Sequence, residues 1–300
     1  MTAPVRLPGG FTEAEMHDAL LRLCSAVGLD PGGSTLMRGQ TNAVVRLATE
    51  PVVVKIARNG TKQIRVRETV ALVQWLTGQN FPTVQLHPVD QPVVVAPYIG
   101  TFYTYLPQPN VPVDTAALAE PLRMLHTAGL PPFALPEMDA APAIRRSLAA
   151  ADTLAADDRR FLAKRVEQLA AQADKLRYEL PRSVLHGDPQ HGNALHFQGG
   201  TVLCDWDSAA LGHPEWDLVT IEIHARRFGH GAASYVRFTE AYGFDVTTWP
   251  GYGTLCELRE LRMITTNARK SAHEPEKMCE LARRIEGLRE ADTMQRWKIM

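Results

Sequence analysis

Apolar residues recur at helical spacing from Met16 through Leu20 and Leu23 to Val27, which predicts an opening helix. Thr12 and Glu15 stand in capping-box register ahead of it, and Gly28 and Pro31 stop it. The pattern then switches to short β-branched runs. Strands are expected over 43–47, over 52–56 (Val-Val-Val-Lys-Ile), and over 83–86, 93–96 and 102–106, with one helix inserted at about 61–76 and closed by Gly78. Beyond Pro107-Gln108-Pro109-Asn110 the period lengthens, and helical stripes cover 114–126, 141–151 and 157–178. Pro121 marks a start or a kink in the first of these. A β-rich segment joined by a proline-containing connector to a mainly helical one predicts an α+β chain of two lobes. Their expected spans are residues 1–106 and 107–300, with a hinge at about 105–110 and a cleft for the chemistry.

Composition narrows the partners. The 300 residues are 45% hydrophobic and 22% charged with a formal net charge of −1, so no basic face is expected for nucleic acid or an anionic membrane. A small molecule is the expected partner. Cys24, Cys204, Cys256 and Cys279 form no Cys-x-x-Cys pair, which argues against a zinc ribbon or a disulfide framework and fits a reducing cytoplasm. The opening MTAPVRLPGG has no apolar signal region, and no apolar run approaches the roughly 20 residues that span a bilayer. The expected location is the cytoplasm.

The chemistry concentrates in HGDPQHGNALHFQGGTVLCDWDSA, residues 186–209. Two readings compete: a metal site on His186, His191 and His196, or a phosphoryl-transfer centre on Asp188, Asn193 and Asp205. Phosphoryl transfer to a hydroxyl needs a carboxylate to orient the acceptor and take its proton, and hard oxygen ligands for magnesium. Asp188 and Asn193 lie five apart on a loop, and Asp205 ends the apolar run 201–204, where a hairpin would return it toward Asn193. The glycines Gly187 and Gly192 make this stretch irregular, and spacings of five suit neither a helix face nor a strand for three zinc-binding histidines. Kinase-like chemistry also makes demands upstream. Lys55 ends Val-Val-Val-Lys, close to the phosphate-contacting lysine strand, and Glu68 is the one acidic residue between Lys55 and Asp90, in the helix expected to brace that lysine.

These residues, with Leu122-Arg123-Met124-Leu125-His126 and Gly212-His213-Pro214-Glu215-Trp216-Asp217-Leu218, resemble the aminoglycoside phosphotransferase family, small-molecule kinases of protein-kinase-like fold. The resemblance covers nearly the whole chain. It implies a bilobal kinase-like fold, with a small β-rich N-terminal lobe carrying one inserted helix and a larger, mainly helical C-terminal lobe. It also implies ATP, with GTP an alternative, and Mg2+ as cofactors. Asp188 is then the base, Asn193 and Asp205 the magnesium ligands, Lys55 the phosphate contact, and Tyr105 and Leu106 part of the hinge that meets the adenine. The acceptor is a hydroxyl on an antibiotic, sugar, amino alcohol or related metabolite. The phosphate-covering loop departs from the protein-kinase pattern in having Gly39 alone. No Ala-Pro-Glu activation segment follows Asp205, which argues against a protein substrate.

Supporting roles are expected for other residues. His186 holds the loop, Asp207 assists the metal or braces its turn, and Asp217 anchors the catalytic loop or caps the helix that follows. Glu257 and Glu260 share a helical face and could line an acceptor pocket for a cation, although the interleaved Arg259 and Arg262 fit a salt-bridged surface helix as well. The part after residue 107 is only mildly acidic, too little to demand a polycationic substrate. The competing function is a catalytically silent nucleotide-binding regulator of the same fold, disfavoured because a binding module needs no base. The sequence names neither the acceptor nor the oligomeric state.

Overall fold

Thr12 opens the first helix with a reciprocal cap. Its hydroxyl accepts from the Glu15 N–H at 3.1 Å, while the Glu15 carboxylate accepts from the Thr12 N–H. The computed structural model describes residues 10–38, 42–270 and 275–300. Contacts divide the chain into two compact units: the chain up to Pro112 with Leu195–Asp207, and Val113–Ala194 with Ser208–Met300. One boundary near residue 106 therefore does not describe the division, because 195–207 returns to the first unit. Among the described residues, no helix is long and apolar enough to cross a membrane.

In the first unit, α1 (Glu13–Val27) precedes β1 (Thr35–Arg38), β2 (Ala43–Arg46) and β3 (Val52–Ile56); α2 (Gln63–Gly78), β4 (Val93–Val95) and β5 (Tyr98–Thr104) follow. The five strands form an antiparallel sheet ordered β1-β2-β3-β5-β4. Leu20 and Leu23 of α1 pack with Val52, Val54, Ile56 and Phe102, the inward positions of alternating strands. The expected strand at 83–86 is an extended crossing with single bridges, Thr83 to Leu203 and Leu86 to Tyr103. Conversely, β1 is a strand the pattern did not predict, since all four of its residues are exposed and give no alternation.

The second unit contains α3 (Ala119–Thr127), α4 (Ala140–Ala149), α5 (Ala156–Ala173) and β6 (Ser183–Leu185). The hairpin strands β7 (Ala194–Phe197) and β8 (Gly200–Leu203) come next in the chain, nearly all within the first unit. The second unit resumes with β9 (Ala210–Gly212), α6 (Glu215–Arg227), α7 (Ala232–Tyr242), α8 (Tyr252–Lys270) and α9 (Pro275–Arg289). Pro121 sits in the first turn of α3, where its missing N–H costs no helical bond. Helix α5 stops at Ala173 rather than 178, because Tyr178 leaves the helix to stack on His213 and Trp249. Helix α8 contacts α4, α5, α6 and α9 and buries Leu255, Leu258, Leu261 and Ile264, so it is a core helix and not a surface one.

Candidate active site

The candidate residues are divided between the units. Lys55, Glu68, Tyr105, Leu106, Asp205 and Asp207 belong to the first; His186, Asp188, Asn193, Asp217, Glu257 and Glu260 belong to the second. Gly39 lies outside the described residues.

In the first unit, β3 is flanked on both sides, by β2 and β5, which fixes Lys55 opposite Val44 and Thr101. Its ammonium lies 2.6 Å from Asp205 Oδ1 and 2.8 Å from Asp207 Oδ1. Burial opposes the charged ammonium, but the two carboxylates outweigh it and hold the lysine above its ordinary value. Asp205 adopts a left-handed φ of 64°, a conformation Asp tolerates better than most residues. Asn42 holds Asp207 in turn, donating from Nδ2 at 2.7 Å while its Oδ1 accepts from the Arg58 N–H. Trp206 anchors the turn between the two aspartates, its indole N–H donating to Thr83 Oγ1 at 2.9 Å. Glu68 does not brace Lys55. Its carboxylate pairs at 2.7 Å with Arg65, three residues earlier on α2, a local partner the sequence reading passed over. The Tyr105 N–H donates to the Pro51 carbonyl, and the Leu106 carbonyl accepts from the Gln108 side chain, so both hinge groups already have partners within the unit.

In the second unit, β6 pairs with β9 and delivers the chain into the loop that begins at His186. Asp217, fully buried in the first turn of α6, accepts from two consecutive loop amides: His186 N–H at 2.7 Å and Gly187 N–H at 2.9 Å. Its Oδ2 also lies 3.2 Å from His126 Nε2, and His126 Nδ1 meets the Tyr242 hydroxyl at 2.8 Å. A buried carboxylate with several donors is fully paired and holds the loop rigidly. Gly187 has φ of 80°, and any Cβ there would collide with the Ser208 carbonyl, so the loop requires glycine at this point.

Asp188 comes next, and its side chain is 34% exposed. Oδ1 is ion-paired with Arg259 of α8, whose own side chain is only 5% exposed. The Asp188 N–H donates to His186 Nδ1, which places the imidazole as a brace under the loop. Burial pushes the Asp188 carboxyl up, but the Arg259 guanidinium holds it below the usual aspartate value. Asn193 donates from Nδ2 to the Asp188 carbonyl at 3.0 Å, which turns its amide oxygen away from that carbonyl. Arg259, the partner of Asp188, is a candidate that sequence reasoning missed, since it was read only as an interleaved surface charge. Glu257 and Glu260 are not available as acceptor ligands: Arg165 holds Glu257, and Arg226 and Arg227 hold Glu260. They face a cavity of about 590 Å3 lined also by Lys164 and Arg289, on another face of α8 from Arg259.

The residues present fit an oxygen-seeking dication. Asp205 and Asp207 already gather around one cation, the Lys55 ammonium, and carboxylate and amide oxygens are the donors magnesium takes. The histidine alternative at 186, 191 and 196, disfavoured by its spacing, is divided between the units. His186 braces Asp188, and His196 Nε2 meets the Val111 carbonyl within the first unit.

Comparison with known proteins agrees with the fold. Amicoumacin kinase hAmiN in complex with AMP-PNP, Ca2+ and Ami superposes with a TM-score of 0.74 at 12% identity, covering 96% of this chain and 98% of that one. Choline kinase LicA from Streptococcus pneumoniae gives 0.68 at 16% identity, covering 92% and 99%. Spectinomycin phosphotransferase in complex with ADP and spectinomycin gives 0.63 at 14% identity, covering 92% and 98%. No curated protein matches the sequence. Residues 33–258, three-quarters of the chain, match the phosphotransferase enzyme family (APH), and the chain belongs to that family of small-molecule phosphotransferases.

Proposed function

We propose that this phosphotransferase moves the γ-phosphate of ATP, with magnesium, to a hydroxyl of a small molecule that is not a polycation. The observation that carries the reading is Asp188, kept ionised by Arg259 on a loop whose backbone Asp217 pins. Oδ1 carries the Arg259 pair and Oδ2 accepts only a long 3.4 Å bond from Asn193 Nδ2, so Oδ2 is the oxygen that takes the acceptor's hydroxyl proton as the oxygen attacks phosphorus. Lys55 exchanges its aspartates for phosphate oxygens and neutralises charge that accumulates during transfer. Asn193 and Asp205 are the residues that would offer oxygens to magnesium, which would supply charge neutralisation for the nucleotide phosphates. Similar kinases that hold AMP-PNP or ADP support the choice of an adenine nucleotide.

Charge around Asp188 supports the acceptor class. Arg259, paired with Asp188, and Arg262, which feels the charge of Asp188, lie over Trp216 at 5.7 and 5.6 Å, so positive charge gathers on this side of the proposed base. The glutamates that would have attracted a polycation are neutralised by Arg165, Arg226 and Arg227. A neutral or anionic hydroxyl compound suits these surroundings, whereas a polyamine antibiotic is repelled. The test is ADP release by purified protein with Mg-ATP or Mg-GTP over a panel of neutral polyols, hydroxy acids, amino alcohols and aminoglycosides. Neutral or anionic acceptors are expected to give the highest kcat/KM, with Asp188→Ala losing transfer but retaining nucleotide binding. Preferred turnover of aminoglycosides, or full activity of Asp188→Ala, contradicts the reading.

A further inference from the structure

A second cluster of side chains in the second unit takes no part in this chemistry. His191 begins the 3-10 turn His191–Asn193 of the catalytic loop, and His224 lies in the last turn of α6. His230 follows α6 between Gly229 and Gly231, both in the left-handed region at φ 76° and 98°. One nitrogen from each imidazole lies within 4.8 Å of the other two. The His191 and His230 ring centres are 4.1 Å apart, and those of His191 and His224 are 6.1 Å apart.

Packing alone does not account for the arrangement. His224 stacks on Phe228 at 4.8 Å and is only 8% exposed, yet its Nδ1 is buried without a hydrogen-bond partner. Nε2 of His230 is buried and unpartnered as well. Buried polar atoms are nearly always satisfied by protein, water or an ion, so two orphaned imidazole nitrogens beside a third imidazole point to a missing ligand. That ligand must accept lone pairs. Burial pushes His224 down to about 3 and lowers His230, which keeps both rings neutral and able to donate them.

We propose that His191, His224 and His230 form a binding site for a zinc-class transition-metal dication. Imidazole-only donors select zinc and its borderline neighbours over magnesium and calcium, which require oxygen. Zn–N bonds of about 2.0–2.1 Å in tetrahedral array place ligand nitrogens roughly 3.3 Å apart, so from separations within 4.8 Å the trio needs to close by at most about 1.5 Å. Three protein ligands leave the fourth position for water. The ion ties the catalytic loop to the end of α6, while Asp217 at the start of the same helix already holds the loop amides. Both ends of α6 then fix the segment carrying Asp188 and Asn193.

The test uses full-length protein stripped with a chelator and dialysed. Competition against a chromophoric chelator is expected to show one equivalent of Zn2+ bound, and Co2+ substitution is expected to give the visible absorption of a low-coordinate nitrogen site. Zn2+ is expected to raise the thermal unfolding midpoint of the wild type. In His230→Ala and His230→Gln the affinity is expected to fall by more than the roughly 10–100-fold that loss of an outer partner causes. His196→Ala, altered outside the trio, is expected to bind as the wild type does. Absence of a Zn2+ equivalent and of the Co2+ spectrum in the wild type overturns the proposal whether or not any variant folds. Equal binding by a folded His230 variant overturns it too.

Discussion

Asp188 and Arg259 illustrate what a single residue does here and how much of it the sequence exposes. Arg259 stabilises the ionised carboxylate of the proposed base, so removing it raises the Asp188 carboxyl toward its ordinary value or beyond. A base is active only when deprotonated, and the acid limb of kcat/KM in Arg259→Ala is therefore expected to move to higher pH. Its kcat is expected to fall about 10–100-fold through lost orientation. An unchanged acid limb in a pH-rate profile would separate Arg259 from the base. Gly187→Ala tests the loop itself: a positive φ and a carbonyl in the way predict a loss of about 2 kcal/mol or more, read from the urea midpoint. The candidates Asp188, Asn193 and Lys55 stand out in the sequence because their types and spacings are tied to one chemistry. Arg259 does not, since it lies 71 residues from its partner and side-chain pairing across such a distance leaves no periodic trace. Glu68 shows the opposite failure, because an arginine at helical spacing captured the carboxylate assigned to Lys55.

At the level of elements, hydrophobic periodicity marked those that bury one face and missed those that do not. Strand β3, with its buried–intermediate alternation, and helix α1, with its capping box, were both readable. Strand β1 is wholly exposed, and the apolar 83–86 run is bridged to neighbours at single points, so pattern and pairing parted in both places. Helix α6 is buried along almost its whole length, so a periodic stripe could not describe it. Its importance lies in Asp217, which joins the helix to the loop through two amides and His126. Asp217→Ala leaves those buried donors unsatisfied, and a loss of about 3 kcal/mol is expected in urea unfolding. Transfer activity should fall with it, because the backbone under Asp188 loses its anchor. A variant as stable as the wild type would show that β6 and β9 position the loop without α6.

For the whole molecule, the sequence supplied the phosphotransferase class but not the charge pairing that sets its pH range, because burial decides which ions pair. The carboxylate Glu280 is 7% exposed at its side chain and lies 2.9 Å from Arg284, which is 1% exposed. Burial alone would raise it, but bonds from Arg284, the Lys298 N–H and Arg283 hold it below its ordinary 4.5. Asp245 is likewise held below 3.8 against burial, by Thr247 and Tyr235. A carboxyl whose folded pKa is depressed binds fewer protons folded than unfolded, so its contribution is complete above the unfolded value and is lost as pH falls through the folded one. These groups therefore predict a urea midpoint that they leave level near neutrality and that declines once pH drops below about 4.5. Glu280→Gln removes one contributor. It is expected to be less stable at pH 7, because Arg284 loses its charged partner inside the fold, and to lose less on acidification than the wild type. Urea titrations from neutral pH down to about pH 3 measure both effects. Equal acid losses in the two proteins would mean that Glu280 titrates in the folded state as it does in the unfolded chain, and that the Arg284 pair contributes geometry without pH-dependent stability.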